Sequence, residues 1–145
     1  MLALIQRVQS ASVEIGGELK SAIGQGLLVL LGIEKDDSVN DADKLIQKVL
    51  AYRVFSDQEG KMNLSVLDIS GELLIVSQFT LAADTGRGLR PSFSSAKAPA
   101  EARELYDYFL LQLSKEYPKV SSGEFAADMQ VSLVNDGPVT FLLES

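Results

Sequence analysis

The sequence predicts an α+β fold: one compact domain over residues 1–145, built from mixed, largely antiparallel sheet and two main amphipathic helices. Three observations predict it. Two segments carry apolar residues at three- and four-residue spacing, several others alternate with a period of two, and 46% hydrophobic against 23% charged residues is ample for one packed core at this length.

The elements follow in order. Leu2 to Ile15 alternates and is rich in β-branched residues, as a strand requires, and Gly16-Gly17 is a strong hairpin signal into a second strand, Glu18 to Ile23. Gly24 and Gly26 then punctuate the chain. Leu27 to Ile33 is a continuous apolar run, the pattern of a strand covered on both faces, with a buried helical segment the other option that pattern leaves open. Ser38 followed by Asp41 caps a helix over Val39 to Arg53, where Val39, Ala42, Leu45, Ile46, Val49 and Leu50 form one stripe that must lie on a sheet.

After a polar loop around Asp57-Gln58-Glu59-Gly60, Glu72 to Phe79 reads as a central strand. Pro99 suits the first turn of a second helix, whose stripe is Ala102, Leu105, Tyr106, Phe109, Leu110 and Leu113 and which ends near Tyr117-Pro118. Met129, Val131 and Leu133 alternate with Gln130 and Ser132, and Val139 to Leu143 gives a last strand. Between these two runs stands Asn135-Asp136-Gly137-Pro138, which by itself reads as a turn joining two paired strands.

Composition removes several chemistries. The chain has no histidine, cysteine or tryptophan, so a Ser-His-Asp triad, a cysteine nucleophile, a disulfide and a His- or Cys-ligated zinc are excluded, and no metal or other cofactor is expected. Hydrolysis would have to rest on hydroxyls, carboxylates, backbone N–H groups or the substrate itself. A net charge of −7 argues against wrapping a long nucleic acid. One stretch departs from that acidity: Thr85 to Pro99 has no acidic residue and carries Arg87, Arg90 and Lys97 among glycines and serines. It is either a solvated loop or a loop that touches phosphate, the former being the usual fate of such runs. The longest apolar run, Leu27 to Leu31, is too short for a bilayer, and the first residues lack the basic-then-apolar order of a signal peptide, so a cytoplasmic protein with no membrane partner is expected.

Two short segments look like chemistry. Ser77-Gln78-Phe79-Thr80-Leu81 lies at a strand end, and at Gly137 the backbone can approach a ligand closely while Pro138 offers a carbonyl and no N–H. With Gln6-Arg7-Val8, Lys61-Met62-Asn63-Leu64-Ser65, Arg90-Pro91-Ser92-Phe93 and Asn135-Asp136-Gly137-Pro138-Val139-Thr140, the chain resembles the D-aminoacyl-tRNA deacylases, also called D-tyrosyl-tRNA deacylases, over essentially its whole length.

The resemblance implies a hydrolase that frees D-amino acids, and glycine, from the tRNA 3′ end, with no DNA partner. It also implies a homodimer in which Gly137-Pro138 of one subunit, joined by a cis bond, reaches into the site of the other. D and L substrates carry identical atoms, so only a wall placed where the L side chain must go can tell them apart. Arg7 would hold that wall in orientation, against the plainer option of an exposed strand arginine. Backbone N–H groups around Phe79 and Thr80 suit an oxyanion, and the Thr80 side chain is assigned a positioning role rather than that of a nucleophile. Phe79 either stacks on the terminal adenine or packs in the core. Ser77 and Gln78 are strand-end hydrogen-bonding residues, Gln78 the better functional candidate, and Met129 either packs beneath the pocket or is ordinary core. Two rival readings stand beside this one: a non-catalytic module that caps the tRNA 3′ end, and a threonine hydrolase of small esters.

Overall fold

A computed structural model of the chain describes residues 1–86 and 88–145; Arg87, one cation of the basic stretch, lies outside the described residues. The organising element is the strand β1 (Leu2–Ile15), which pairs on both edges. On one edge its first half meets β3 (Gly26–Gly32) and its second half meets β2 (Glu18–Ile23), both antiparallel. The Gly16-Gly17 turn that makes the β1–β2 hairpin has positive φ at both residues, 60° and 83°, the combination a two-residue hairpin of the observed hand needs. Beyond β3, β6 (Glu72–Ser77) and then β7 (Val120–Ser122) add in parallel. Sequence periodicity gave no sign of the three-residue β7.

The other edge of β1 is taken along its length by β8 (Gln130–Glu144). Here the expectation of two paired strands around Gly137-Pro138 is corrected. Both apolar runs pair antiparallel with β1 instead, from Gln130 opposite Glu14 to Glu144 opposite Leu2. Because β1 already offers partners to both runs, the Gly-Pro unit has no hairpin to close and is extruded from a single strand.

Helices α1 (Val39–Ala51) and α2 (Pro99–Glu116) cover one face of this sheet. The Asp41 carboxylate accepts from the Ser38 backbone N–H at 2.9 Å and its hydroxyl at 2.7 Å, which fixes the start of α1. The helix stops two residues short of the expected Arg53, because Tyr52 turns extended and takes Val54 and Phe55 into the core. There Phe55–Ser56 (β4) and Met62–Leu64 (β5) form a small separate hairpin.

The continuous apolar run of β3 is explained by two layers. Leu27, Val29 and Leu31 join Leu45, Ile46, Phe109 and Leu113 beneath the helices, while Leu28 faces the opposite way with Leu74, Val76, Val8 and Val13. The second half of β1, with β2 and the start of β8, closes over that second face. Full burial of each such leucine contributes roughly 1.5–3 kcal/mol, so both layers stabilise the sheet. Among the described residues, no helix is long and apolar enough to cross a membrane.

Candidate functional site

Parallel strands β3 and β6 end side by side, Leu31 opposite Ser77, and the chain leaves β6 there. The strand is two residues shorter than expected: Gln78 is the joint, its N–H donating to the Leu31 carbonyl at 2.8 Å, and Phe79–Ala82 forms a 3₁₀ turn. That turn begins with the N–H groups of Phe79 and Thr80, which have no acceptor among the described residues. A cavity of about 490 Å³ opens at this point. Its lining includes Ser77, Gln78 and Phe79 from the strand end, Pro99 and Ala102 from α2, and Met129 with the segment Phe125 to Asp128.

Ser77 and Gln78 are half-buried, whereas Phe79 is 62% exposed, which removes the core-packing option for its ring. The ring instead meets Phe93 at 5.1 Å between centroids, tilted by 48°. Thr80 is exposed, and its hydroxyl oxygen accepts from the Gln78 side-chain amide. No lysine or carboxylate contacts that hydroxyl among the described residues. Met129 is partly buried, at once packed on the second core layer and part of the pocket wall.

Behind the pocket, Tyr106 donates from its hydroxyl to the Ile75 carbonyl at 3.2 Å, and burial pushes its phenol up, so it stays a neutral donor. Its ring packs against Phe125 at 5.6 Å. Sequence reasoning passed over Phe125, Ala126 and Asp128, since the stretch between β7 and β8 has neither period and its one unusual backbone feature, φ of 63° at Ala126, is invisible in a sequence.

Hydrogen bonds hold described residues in and beside the basic stretch. Asp84 and Ser92 exchange backbone hydrogen bonds at 2.8 and 3.0 Å, Ser95 Oγ donates to the Ala82 carbonyl at 2.5 Å, and Lys97 Nζ donates to the Lys35 carbonyl at 2.8 Å.

Gly137 and Pro138 lie elsewhere. Between the pairs Gln6–Thr140 and Val8–Asn135, β1 contributes one residue, Arg7, and β8 contributes four, Asp136 to Val139, so the Gly-Pro unit bulges from the sheet with both residues exposed. The Gly137–Pro138 peptide bond is cis. Arg7 is not an exposed strand arginine: its side chain is 12% accessible, Nε donates to the Asp136 carbonyl at 2.9 Å and Nη1 to the Val54 carbonyl at 2.6 Å.

The Lys61-Met62-Asn63-Leu64-Ser65 motif has a framework role in this arrangement. The Asp57 carboxylate gathers the N–H groups of Glu59 and Lys61, each at 2.9 Å, and Asn63 Nδ2 at 2.8 Å, which builds the hairpin that follows Val54. One chain therefore presents two separate groups: a pocket with Ser77, Gln78, Phe79 and Met129, and an exposed bulge with Gly137, Pro138 and Arg7. Neither Gly137 nor Pro138 lines the pocket.

The family model described as D-Tyr-tRNA(Tyr) deacylase matches residues 4–144. The chain belongs to this deacylase family. The D-aminoacyl-tRNA deacylase of Haemophilus influenzae is 64% identical over 143 residues and that of Stutzerimonas stutzeri 62% over 145 residues, with 99% and 100% of both chains covered. Among solved structures, the c-Myc DNA Unwinding Element Binding Protein superposes with a TM-score of 0.96 at 46% identity, covering 100% of this chain and 99% of the other. A probable eukaryotic D-amino acid tRNA deacylase superposes at 0.89 over 99% of this chain and 98% of its own, and at 14% identity it speaks for the deacylase fold alone.

Proposed function

We propose that this chain hydrolyses the ester joining a D-amino acid, or glycine, to the 3′-terminal ribose of tRNA, and that it does so in the cytoplasm as a homodimer. In that dimer, Gly137 and Pro138 of each copy wall the other's pocket against L side chains. Membership of the deacylase family supports the reaction. The observation that carries the composite site is the separation just described: a pocket without a chiral wall and an exposed, braced bulge without a pocket. The outer edge of β8 fits an interface, since Val134, Phe141 and Leu142 are exposed on the same strand, at 51%, 38% and 50%.

Within the site, water attacks the ester carbonyl carbon, and the N–H groups of Phe79 and Thr80 receive the oxyanion. The ribose 3′-oxygen then leaves with a proton passed from the attacking water through the neighbouring 2′-hydroxyl. Preorganised backbone donors of this kind are worth about 10²–10³ in rate. Gln78 orients the Thr80 hydroxyl, which already accepts its amide hydrogen and has no base to activate it among the described residues, so Thr80 positions rather than attacks. Ser77 ends the strand at the pocket, Met129 forms its floor, and the Phe79–Phe93 pair offers a face to the terminal adenine.

Release of labelled amino acid from matched D- and L-tyrosyl-tRNA tests the reading. Rapid release from the D substrate alone is expected. Binding of both without release would mean a capping module, and equal release from both would remove the chiral wall.

A further inference from the structure

We infer that Arg103 is a phosphate-binding residue for the single-stranded RNA end that enters this pocket. The inference rests on the proposed reaction, because it concerns what lies outside the mouth when an aminoacylated 3′ nucleotide is inside. The amino acid and adenosine enter without a phosphate, so the first negative charge of the substrate, the phosphodiester 5′ to the terminal adenosine, falls at the rim. An acidic chain of net charge −7 needs a local cation there.

Among the described residues, Lys97 and Arg103 are cations at or beside the pocket. Lys97 lines it, but its side chain is 12% exposed and its ammonium is already engaged, on the Lys35 carbonyl at 2.8 Å and beside the Glu101 carboxylate at 4.0 Å. Arg103, an exposed residue of α2, is placed differently. Its guanidinium carbon stands 5.8 Å from the ring centroid of Phe125, and that ring lines the pocket. Asp107, four residues on along the helix, is the ordinary ion-pair partner for such an arginine, yet among the described residues no carboxylate comes within salt-bridge distance of Arg103. The aromatic face holds the cation at the rim and leaves its N–H fork unspent, the arrangement a phosphodiester needs.

The test compares two substrates, D-tyrosyl-tRNA and D-tyrosyl-adenosine, the second lacking every phosphate. For R103Q we expect KM on D-tyrosyl-tRNA to rise about fivefold with kcat unchanged, and the logarithmic salt slope to fall by about 0.7, the share of one phosphate contact on a single strand. R103K should keep the salt slope, since the charge remains, and lose part of the affinity with the fork. On D-tyrosyl-adenosine R103Q should match the wild type. Equal losses on both substrates would show that Arg103 only shapes Phe125, and an unchanged KM and salt slope on tRNA would also overturn the inference. A wild-type chain that cleaved neither substrate would instead overturn the reaction itself, and this inference with it.

Discussion

Arg7 Nε stands 2.9 Å from the carbonyl of Asp136 and 3.3 Å from its carboxylate, so one strand residue clasps the residue that leads into Gly137 from two sides. Through Nη1 the same guanidinium also holds the Val54 carbonyl, at the point where the chain leaves α1 for the β4–β5 hairpin. The bulge is thus braced against the helical layer although it lies on the sheet's exposed edge.

Arg7→Ala should therefore cost both stability and turnover. It strands a carbonyl whose residue, Val54, is 1% exposed, a loss of about 1–3 kcal/mol, and releases the bulge. Arg7→Lys should recover part of the stability and little of the D-tyrosyl-tRNA hydrolysis, because an ammonium on a flexible stem cannot reproduce the fork. Chemical denaturation and initial rates on the two variants check this.

Gly137→Ala is expected to impair activity more than folding. A Cβ there would stand 2.8 Å from Val139 Cγ2 and 3.1 Å from Arg7 Nη2, at a φ of 131° that L residues rarely adopt. Overpacking of this sort costs about 1–3 kcal/mol, which an edge bulge can absorb by shifting. That shift would displace the proposed wall, so turnover of D-tyrosyl-tRNA should fall at least about tenfold while the thermal midpoint moves by about 2–4 °C per kcal/mol.

Two substitutions at one position separate the backbone of Phe79 from its ring. Phe79→Pro deletes the N–H and suits the first residue of the 3₁₀ turn, since Gln78 before it already lies outside the helical region, at φ −139° and ψ 81°. It should lower kcat by about 10²–10³. Phe79→Leu keeps the N–H and loses the aromatic face, so its effect should fall on KM. Thr80→Ala should retain measurable turnover, and a substrate ending in 2′-deoxyadenosine should be cleaved far more slowly than the ribose form. A covalent aminoacyl adduct on Thr80, sought by mass spectrometry, would contradict this division of roles.

Asp57 supplies an acid-dependent element of stability. Its hydrogen bond from the Asn63 side chain, with those from the Lys61 and Glu59 backbone, holds its carboxyl below the usual carboxylate range. A depressed folded value means that the contribution is present above the unfolded pKa of about 3.9 and is lost as pH falls through the folded one. Asp57→Asn should thus be less stable than wild type at neutral pH, and the gap should narrow below about pH 4. Denaturation midpoints across that range measure it.

Most of the framework was legible because its periods are local. The stripe from Val39 to Leu50, the Pro99 start of α2 and the Gly16-Gly17 hairpin each follow from residues a turn or two apart. The single long β8 was not, since pairing depends on which edge of β1 is free, a fact that sits more than a hundred residues away. For the site, Ser77, Gln78, Phe79 and Met129 are brought to one cavity, while Gly137, Pro138 and Arg7 are brought to another place, and only the first grouping could be read as a strand end. Phe125 and its neighbours escaped because they follow no period.

The division of the site between two copies is the claim on which the chiral wall depends, and mixing two crippled chains tests it most directly. G137A keeps an intact Phe79 pocket and F79P keeps an intact bulge, so a mixed dimer holds one composite site built wholly from native parts. Random exchange should restore about a quarter of wild-type D-tyrosyl-tRNA hydrolysis, since about half of the dimers are mixed and each has one intact site. No recovery in mixtures whose mixed dimers are demonstrated by mass spectrometry would contradict the account and place the whole site within one chain.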